Sequence, residues 1–241
     1  MINIIMTATR RAEILERTLR SFKENLFKDY PVRLIINIDP VGPDTDMAVV
    51  DTAVKYFEHT ISYCPEESSF PKAFKRVWEW PHPEYVFHLE DDWELLAPVD
   101  LKELIDIMND FTELAALRLP FKRQDLECMK NWKYYFSWNG FYFNCPSEVA
   151  REVGFCGHPS LIRGDFVGAI APFLDDTRNP EKQFHHGPPE IMEEIDKWDF
   201  GVYGRPNGPA LIKDIGREWM VENGYKKSGS KAFFTNWEKV E

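Results

Sequence analysis

Apolar residues recur along the first half of the chain in two alternating rhythms. Short, near-continuous runs at 2–6, 32–38, 60–63, 85–89 and 115–119 have the length and β-branched or aromatic content of buried strands. The segments between them carry apolar residues at helical spacing. Ile14, Leu15, Leu19, Phe22 and Leu26 mark a helix over 12–26, and Met47, Val50, Val54 and Phe57 one over 45–58. Further helices are expected over 70–80, where Pro81 stops the pattern, and over 101–111. Strands separated by single helices predict an α/β fold with a mostly parallel sheet. In such sheets ligands bind beyond the carboxyl ends of the strands. The polar stretches 7–11, 39–46 and 90–92 all sit at those ends and should converge on one cleft.

The pattern changes from Lys122 onward, where Trp, Tyr, Phe, Gly and Pro become frequent and elements shorten. A hairpin is expected over 134–143 with Asn139-Gly140 at its turn, and a helix from Pro189 through Trp198. No repeat or low-complexity tract divides the chain. One continuous domain is expected, with a nucleotide-binding half over 1–95, an acceptor and catalytic half over 96–215, and a lid or tail over 216–241.

Composition narrows the function classes. The net charge of −11 disfavours a broad nucleic-acid backbone footprint. The four cysteines include no C-x-x-C pair, which argues against a structural zinc site and for reduced thiols. The amino terminus lacks a signal-peptide pattern, and no apolar run reaches the length of a membrane span. A cytoplasmic location, in the producing cell or an infected host cell, is the expectation.

The candidate chemistry centres on Glu90-Asp91-Asp92, which closes the strand over 85–89. Three carboxylates at one turn repel one another, and a divalent cation relieves that repulsion. Mn²⁺ or Mg²⁺ takes oxygen ligands, often protein carboxylates together with substrate phosphates.

In this arrangement the chain resembles glycosyltransferases of the GT-A fold. The residues that carry the resemblance are Thr7-Ala8-Thr9-Arg10 after the first strand, Asp39 after the second, and Lys72 and Arg76 on the following helix. The acidic turn then stands where that fold carries its D-x-D motif. The resemblance implies a Rossmann-like mostly parallel sheet flanked by helices, a nucleotide-sugar donor and a family-2-like member. It implies that Thr7, Thr9, Arg10 and Asp39 meet the base and ribose, and that Lys72 and Arg76 meet the diphosphate or ribose. Asp92 is the implied metal ligand, with Glu90 or Asp91 on the ribose or sugar. The chain has no C-terminal His-x-Gly ligand; Asp214-Ile215-Gly216 stands in a comparable place, so Asp214 is the candidate for it.

Inverting transfer to an acceptor hydroxyl needs a general base. Glu190, one residue after Pro189 in an expected first helical turn, is the first candidate, and Asp165 the second. His185 and His186 are considered as metal ligands, but adjacent histidines on a strand or extended loop point opposite ways, so at most one faces the cleft, and a surface or hydrogen-bonding role is the favoured expectation. Arg217, Lys226 and Lys227 flank a Gly-containing segment suited to fold over a diphosphate. Uridine is the favoured base, because Asp39 can accept from a ring N–H, and guanosine the second. The acceptor is a glycan, protein or small molecule; a nucleic acid is disfavoured by charge. Two other readings stand beside this one: nucleotidyl transfer to a sugar phosphate, against which the glycine-free 7–11 stretch counts, and glycan binding without catalysis.

Overall fold

The structure is a computed structural model that describes residues 1–121, 137–228 and 236–239. The first half alternates as its pattern requires: β1 (Ile2–Thr9), α1 (Ala12–Asn25), β2 (Val32–Asp39), α2 (Asp46–Tyr56), β3 (Thr60–Tyr63), α3 (Phe70–Trp78), β4 (Tyr85–Glu90). Then follow β5 (Trp93–Leu95), α4 (Leu101–Asp110) and β6 (Leu114–Arg118). The second half contains β7 (Ser137–Trp138), β8 (Tyr142–Cys145), α5 (Ala150–Val153), β9 (Ser160–Arg163), α6 (Gly164–Ile170), α7 (Pro180–His186), α8 (Pro189–Ile195) and β10 (Asp199–Tyr203). It ends with β11 (Ile212–Asp214), α9 (Gly216–Glu222), β12 (Tyr225–Ser228) and β13 (Asn236–Lys239).

The main sheet runs β3-β2-β1-β4-β9-β6-β10-β8-β7. β3, β2, β1 and β4 pair in parallel, β9 inserts antiparallel between β4 and β6, and β10 lies parallel to β6. Side chains of a strand alternate between faces, and both faces here are covered. Ile4, Met6, Leu34, Ile36, Phe87 and Leu89 pack toward one core with Leu15, Leu19 and Phe22 of α1 and Leu104 and Met108 of α4. Ile5, Ile35 and Val86 pack toward the other, with Phe74 and Trp78 of α3, Phe166 of α6, Phe184 of α7 and Ile191 of α8. Burial on both faces explains the near-continuous apolar runs.

The Asn139-Gly140 hairpin turn joins β7 to β8 as expected, with Gly140 at φ 107°; residues 122–136, which include part of that expected hairpin, lie outside the described residues. The helix expected from Pro189 is shorter, ending at Ile195. The histidines expected on extended backbone instead close helix α7, and His185 Nδ1 lies 2.9 Å from the Arg151 carbonyl oxygen. Among the described residues no helix is long and apolar enough to cross a membrane.

Candidate active site

The parallel register sets Thr9 beside Asp39 and Thr7 beside Glu90. Asp39 and Glu90 thus lie two strands apart at the same end of the sheet, about 10 Å laterally.

At the Asp39 end, the turn into α3 and the side chains of that helix enclose a pocket of about 330 Å³. Asp39, Pro65, Glu67, Ser69, Lys72 and Arg76 line it. Ser69 caps α3 and also donates its backbone N–H to Asp39 Oδ2 at 2.9 Å. Asn37 Nδ2 donates to Asp39 Oδ1 at 2.8 Å. Burial pushes the Asp39 carboxyl above its ordinary range, and these hydrogen bonds with the charge of Arg76 oppose the rise. Arg76 is itself held by the Asn37 side-chain oxygen and lies over the Tyr63 ring, 5.9 Å from its centroid. The pocket therefore joins a buried acceptor to two cations.

The acidic turn is organised differently at each of its three residues. Asp91 is 3% exposed and fully engaged. Its Oδ2 accepts from Thr9 N at 2.8 Å and Thr9 Oγ1 at 3.1 Å, and its Oδ1 accepts from Arg11 Nη2 at 2.6 Å. Arg11 is buried as deeply as Asp91, lies over the Trp219 ring at 5.3 Å, and also reaches Asp92 Oδ2 at 3.2 Å. Part of the repulsion expected of the triplet is thus cancelled internally, by a residue the sequence pattern does not single out. Thr9 and Arg10 are engaged too: Arg11 Nε donates to Thr9 Oγ1, and Arg10 forms a two-point ion pair with Asp46 at 2.7 and 2.8 Å. The side chains of Thr9 and Arg10 are taken up beside the Asp39 pocket, and Thr7 is buried in β1.

Asp92 is more open than Asp91 but still mostly buried, with its side chain 24% exposed. The backbone after β11 crosses directly over it: Ile215 N donates to the Asp92 carbonyl at 2.9 Å, and a Cβ on Gly216 would fall 2.1 Å from Asp92 Oδ2. Only glycine fits at that crossing. Burial and the charge of Asp91 push the Asp92 carboxyl up to about 6, Arg11 pulls it down, and nearby Asp214 adds to the rise. Asp214 accepts from Gly216 N at 3.0 Å and pairs with Arg217 Nε at 3.1 Å. Arg217 is largely exposed and Lys226 is exposed on β12.

Among the described residues, no three His, Cys, Asp or Glu side chains already converge in ligating geometry. The donor set nonetheless suits a hard divalent cation. Asp92 and Asp214 offer carboxylate oxygens, and the charges of Asp91 and Asp214 add to burial in raising the Asp92 carboxyl. Two protein carboxylates completed by diphosphate oxygens is an ordinary Mg²⁺ arrangement.

Glu90 is half-buried, and opposite it stands a residue that the sequence reading passed over. Glu181, in the first turn of α7, accepts from Gly157 N at 2.8 Å. A Cβ on Gly157 would lie 2.9 Å from Glu181 Oε1 and 3.4 Å from Glu90 Oε1, so the two carboxylates flank one small gap. The signal was present in Asn179-Pro180-Glu181: Asn179 accepts from Lys182 N as the cap of the helix, with Pro180 at its start. Glu190 is exposed in the first turn of α8, past the far end of α7. Asp165 follows Gly164, whose N–H bonds the Glu84 carbonyl at 2.8 Å, and therefore sits at the amino end of β4, opposite the acidic turn.

No known family profile matches the chain, and no curated protein matches it. Solved structures do resemble it. A mannosyltransferase, PcManGT from Pyrobaculum calidifontis in complex with GDP-Man and Mn²⁺, aligns over 85% of this chain with TM-score 0.54 and 16% identity. TarS residues 1–349 from S. aureus, in complex with UDP-GlcNAc, aligns over 88% with TM-score 0.56 and 12% identity. The chain spans 57% and 58% of those two, somewhat over half their length. At these identities the likeness is one of fold: the chain has the GT-A architecture, an α/β single domain with a mostly parallel central sheet flanked by helices.

Proposed function

We propose that this chain is a glycosyltransferase that takes its sugar from a nucleoside diphosphate donor, uridine favoured and guanosine second, and passes it to an acceptor hydroxyl. The observation that carries the reading is the pairing, at one end of the sheet, of the Asp39–Lys72–Arg76 pocket with the acidic turn two strands away. Asp39 accepts a hydrogen bond from a base N–H. Lys72 and Arg76 supply charge-assisted hydrogen bonds to ribose and phosphate oxygens. Arg10, Thr7 and Thr9 shape the wall of this half from behind, and Arg217 and Lys226 approach from the C-terminal side.

Asp92 and Asp214 are the residues to hold Mn²⁺ or Mg²⁺; when bound, the cation stabilises the charge of the departing diphosphate. Glu90 faces the sugar. Glu181, across the gap from Glu90, takes the acceptor proton in an inverting displacement, the role that the sequence reading gave to Glu190 or Asp165. That the mannosyltransferase neighbour was solved with GDP-Man and Mn²⁺, and the TarS neighbour with UDP-GlcNAc, supports a nucleotide-sugar donor.

Calorimetric titration with nucleoside diphosphates, with and without Mn²⁺, tests the reading. UDP should bind tightest and only in Mn²⁺. Asp92→Asn should abolish the Mn²⁺-dependent part while circular dichroism stays unchanged. Tightest binding of ADP or CDP, or undiminished UDP binding by Asp92→Asn, overturns it.

A further inference from the structure

A second polar cluster lies beside this gap and takes no part in the proposed transfer. Cys156 is half-buried on the 154–159 loop that leads into β9. Its Sγ accepts a hydrogen bond from Arg118 Nη1 at 3.0 Å, and Arg118 is the last residue of β6. His158, two residues along, hydrogen-bonds the same sulfur. The loop is pinned on both sides of the thiol: Phe155 is 2% exposed in the core, Gly157 N is held by Glu181, and the Pro159 carbonyl accepts from Leu119 N at 2.9 Å. The thiol is therefore fixed against its two partners. His158 in turn packs against Trp93 and Phe121, with ring centroids 5.0 and 5.5 Å away. Trp93 is 7% exposed, and its indole N–H is buried without a hydrogen-bond partner among the described residues.

A guanidinium and an imidazole donor both favour a sulfur that carries charge. Burial pushes the Cys156 thiol up, but Arg118 and His158 outweigh it and bring it down to about 6. The other described cysteines behave oppositely. Desolvation and the charge of Asp46 hold Cys64 above its ordinary value despite its exposure, and burial pushes Cys145 up to about 12.

We propose that Cys156 is a modification site, a nucleophilic thiolate that small disulfides cap reversibly. The thiolate attacks one sulfur of the disulfide, a Cys156 Sγ–S bond forms, the S–S bond of the reagent breaks, and the other half leaves as a thiolate. The disulfide is the only oxidant required. The neighbouring residue is Gly157, which faces the gap between Glu90 and Glu181. A cap of a few heavy atoms on Cys156 crowds that gap. This last consequence, unlike the reactivity itself, rests on the transfer reading above.

The test is labelling of the native chain by an aromatic disulfide that releases a coloured thiolate, with peptide mapping by mass spectrometry. At about pH 6 roughly half of Cys156 is thiolate against well under a hundredth of an ordinary cysteine, while its lower basicity costs roughly tenfold in intrinsic nucleophilicity; the net expectation is labelling about tenfold faster than at Cys64. His158→Gln and Arg118→Met should each slow Cys156 severalfold and leave Cys64 unchanged, and Arg118→Lys should restore part of the rate. Arg118 also bonds the Gly154 carbonyl, so His158→Gln serves if Arg118→Met fails to fold. Faster labelling of exposed Cys64, or a Cys156 rate indifferent to His158→Gln, overturns the proposal. Titration of unlabelled protein with UDP and Mn²⁺ separates the two readings: labelling as expected without UDP binding leaves the thiol site standing and removes the transferase.

Discussion

Glu181 and Glu190 each sit in the first turn of a short helix that begins with proline, and both would complement a helix dipole. What separates them is position, because Glu181 meets Glu90 across Gly157 and Glu190 does not. The chemistry of a base is set by what it can reach, so geometry ranks ahead of residue type. Glu181→Gln retains an oxygen to accept the Gly157 N–H but takes no proton at neutral pH. It should lower kcat for sugar transfer by about 10²–10⁴-fold with UDP affinity unchanged. Glu190→Gln should leave kcat within about twofold, since the change is exposed and away from the gap. Steady-state kinetics with a found acceptor, paired with UDP calorimetry, read both; a collapse at Glu190 with Glu181→Gln near normal reverses the assignment.

At the level of elements, the joint between β1, α1 and β4 explains why the acidic turn is stable before any ligand arrives. Arg11 opens α1 and pairs with Asp91 and Asp92, Thr18 of α1 donates to the Asp91 carbonyl at 2.7 Å, and Asp91 N donates to the Thr7 carbonyl at 3.2 Å. Removing one partner of a buried pair strands the other, at a typical cost of about 3–5 kcal/mol. Arg11→Met should lose stability of that order in urea unfolding, and adding Asp91→Asn should recover a part of it; a loss below about 1 kcal/mol would place the stability of the turn elsewhere. The strands and helices of this half were legible because burial on both faces writes itself as apolar runs and helical stripes. The choice between Arg10 and Arg11 was not. One turns out to Asp46 and the other in to Asp91, partners 36 and 80 positions away that no local periodicity encodes. The same limit applies to the site: Asp39, Lys72 and Arg76 do share a pocket, and each was legible because it ends or lies on a recognisable element. Glu181 was missed because α7 is only seven residues long, too short for periodicity to speak, and only its Asn-Pro-Glu start marks it.

Across the whole molecule, one buried group ties acid stability to the packing of the second core. His88 lies on β4 at 0% exposure, ringed by Phe74, Trp78 and Phe155 at centroid distances of 5.5, 6.3 and 5.6 Å. Neither ring nitrogen has a hydrogen-bond partner among the described residues. Burial pushes its pKa down to about 3 from 6.5, well past the weak opposing pull of the Gly157 backbone. Between those two values the unfolded chain binds a proton on this residue and the native chain does not. Stability rises with pH wherever the unfolded state holds more protons. His88 therefore costs nothing above its unfolded pKa, and its neutral native form is increasingly penalised as pH falls from about 6.5 toward 3. His88→Leu removes the titrating group without stranding any partner, and the leucine is close in volume. At pH 7 the variant should lie within about 1.5 kcal/mol of the parent. The decisive quantity is the difference between the two proteins as pH falls: between pH 6 and 4 it should shift in favour of the variant by about 1.4 kcal/mol per pH unit. Urea unfolding at three pH values measures it. A difference that stays constant over that range would mean that His88 finds a proton-accepting environment in the native core.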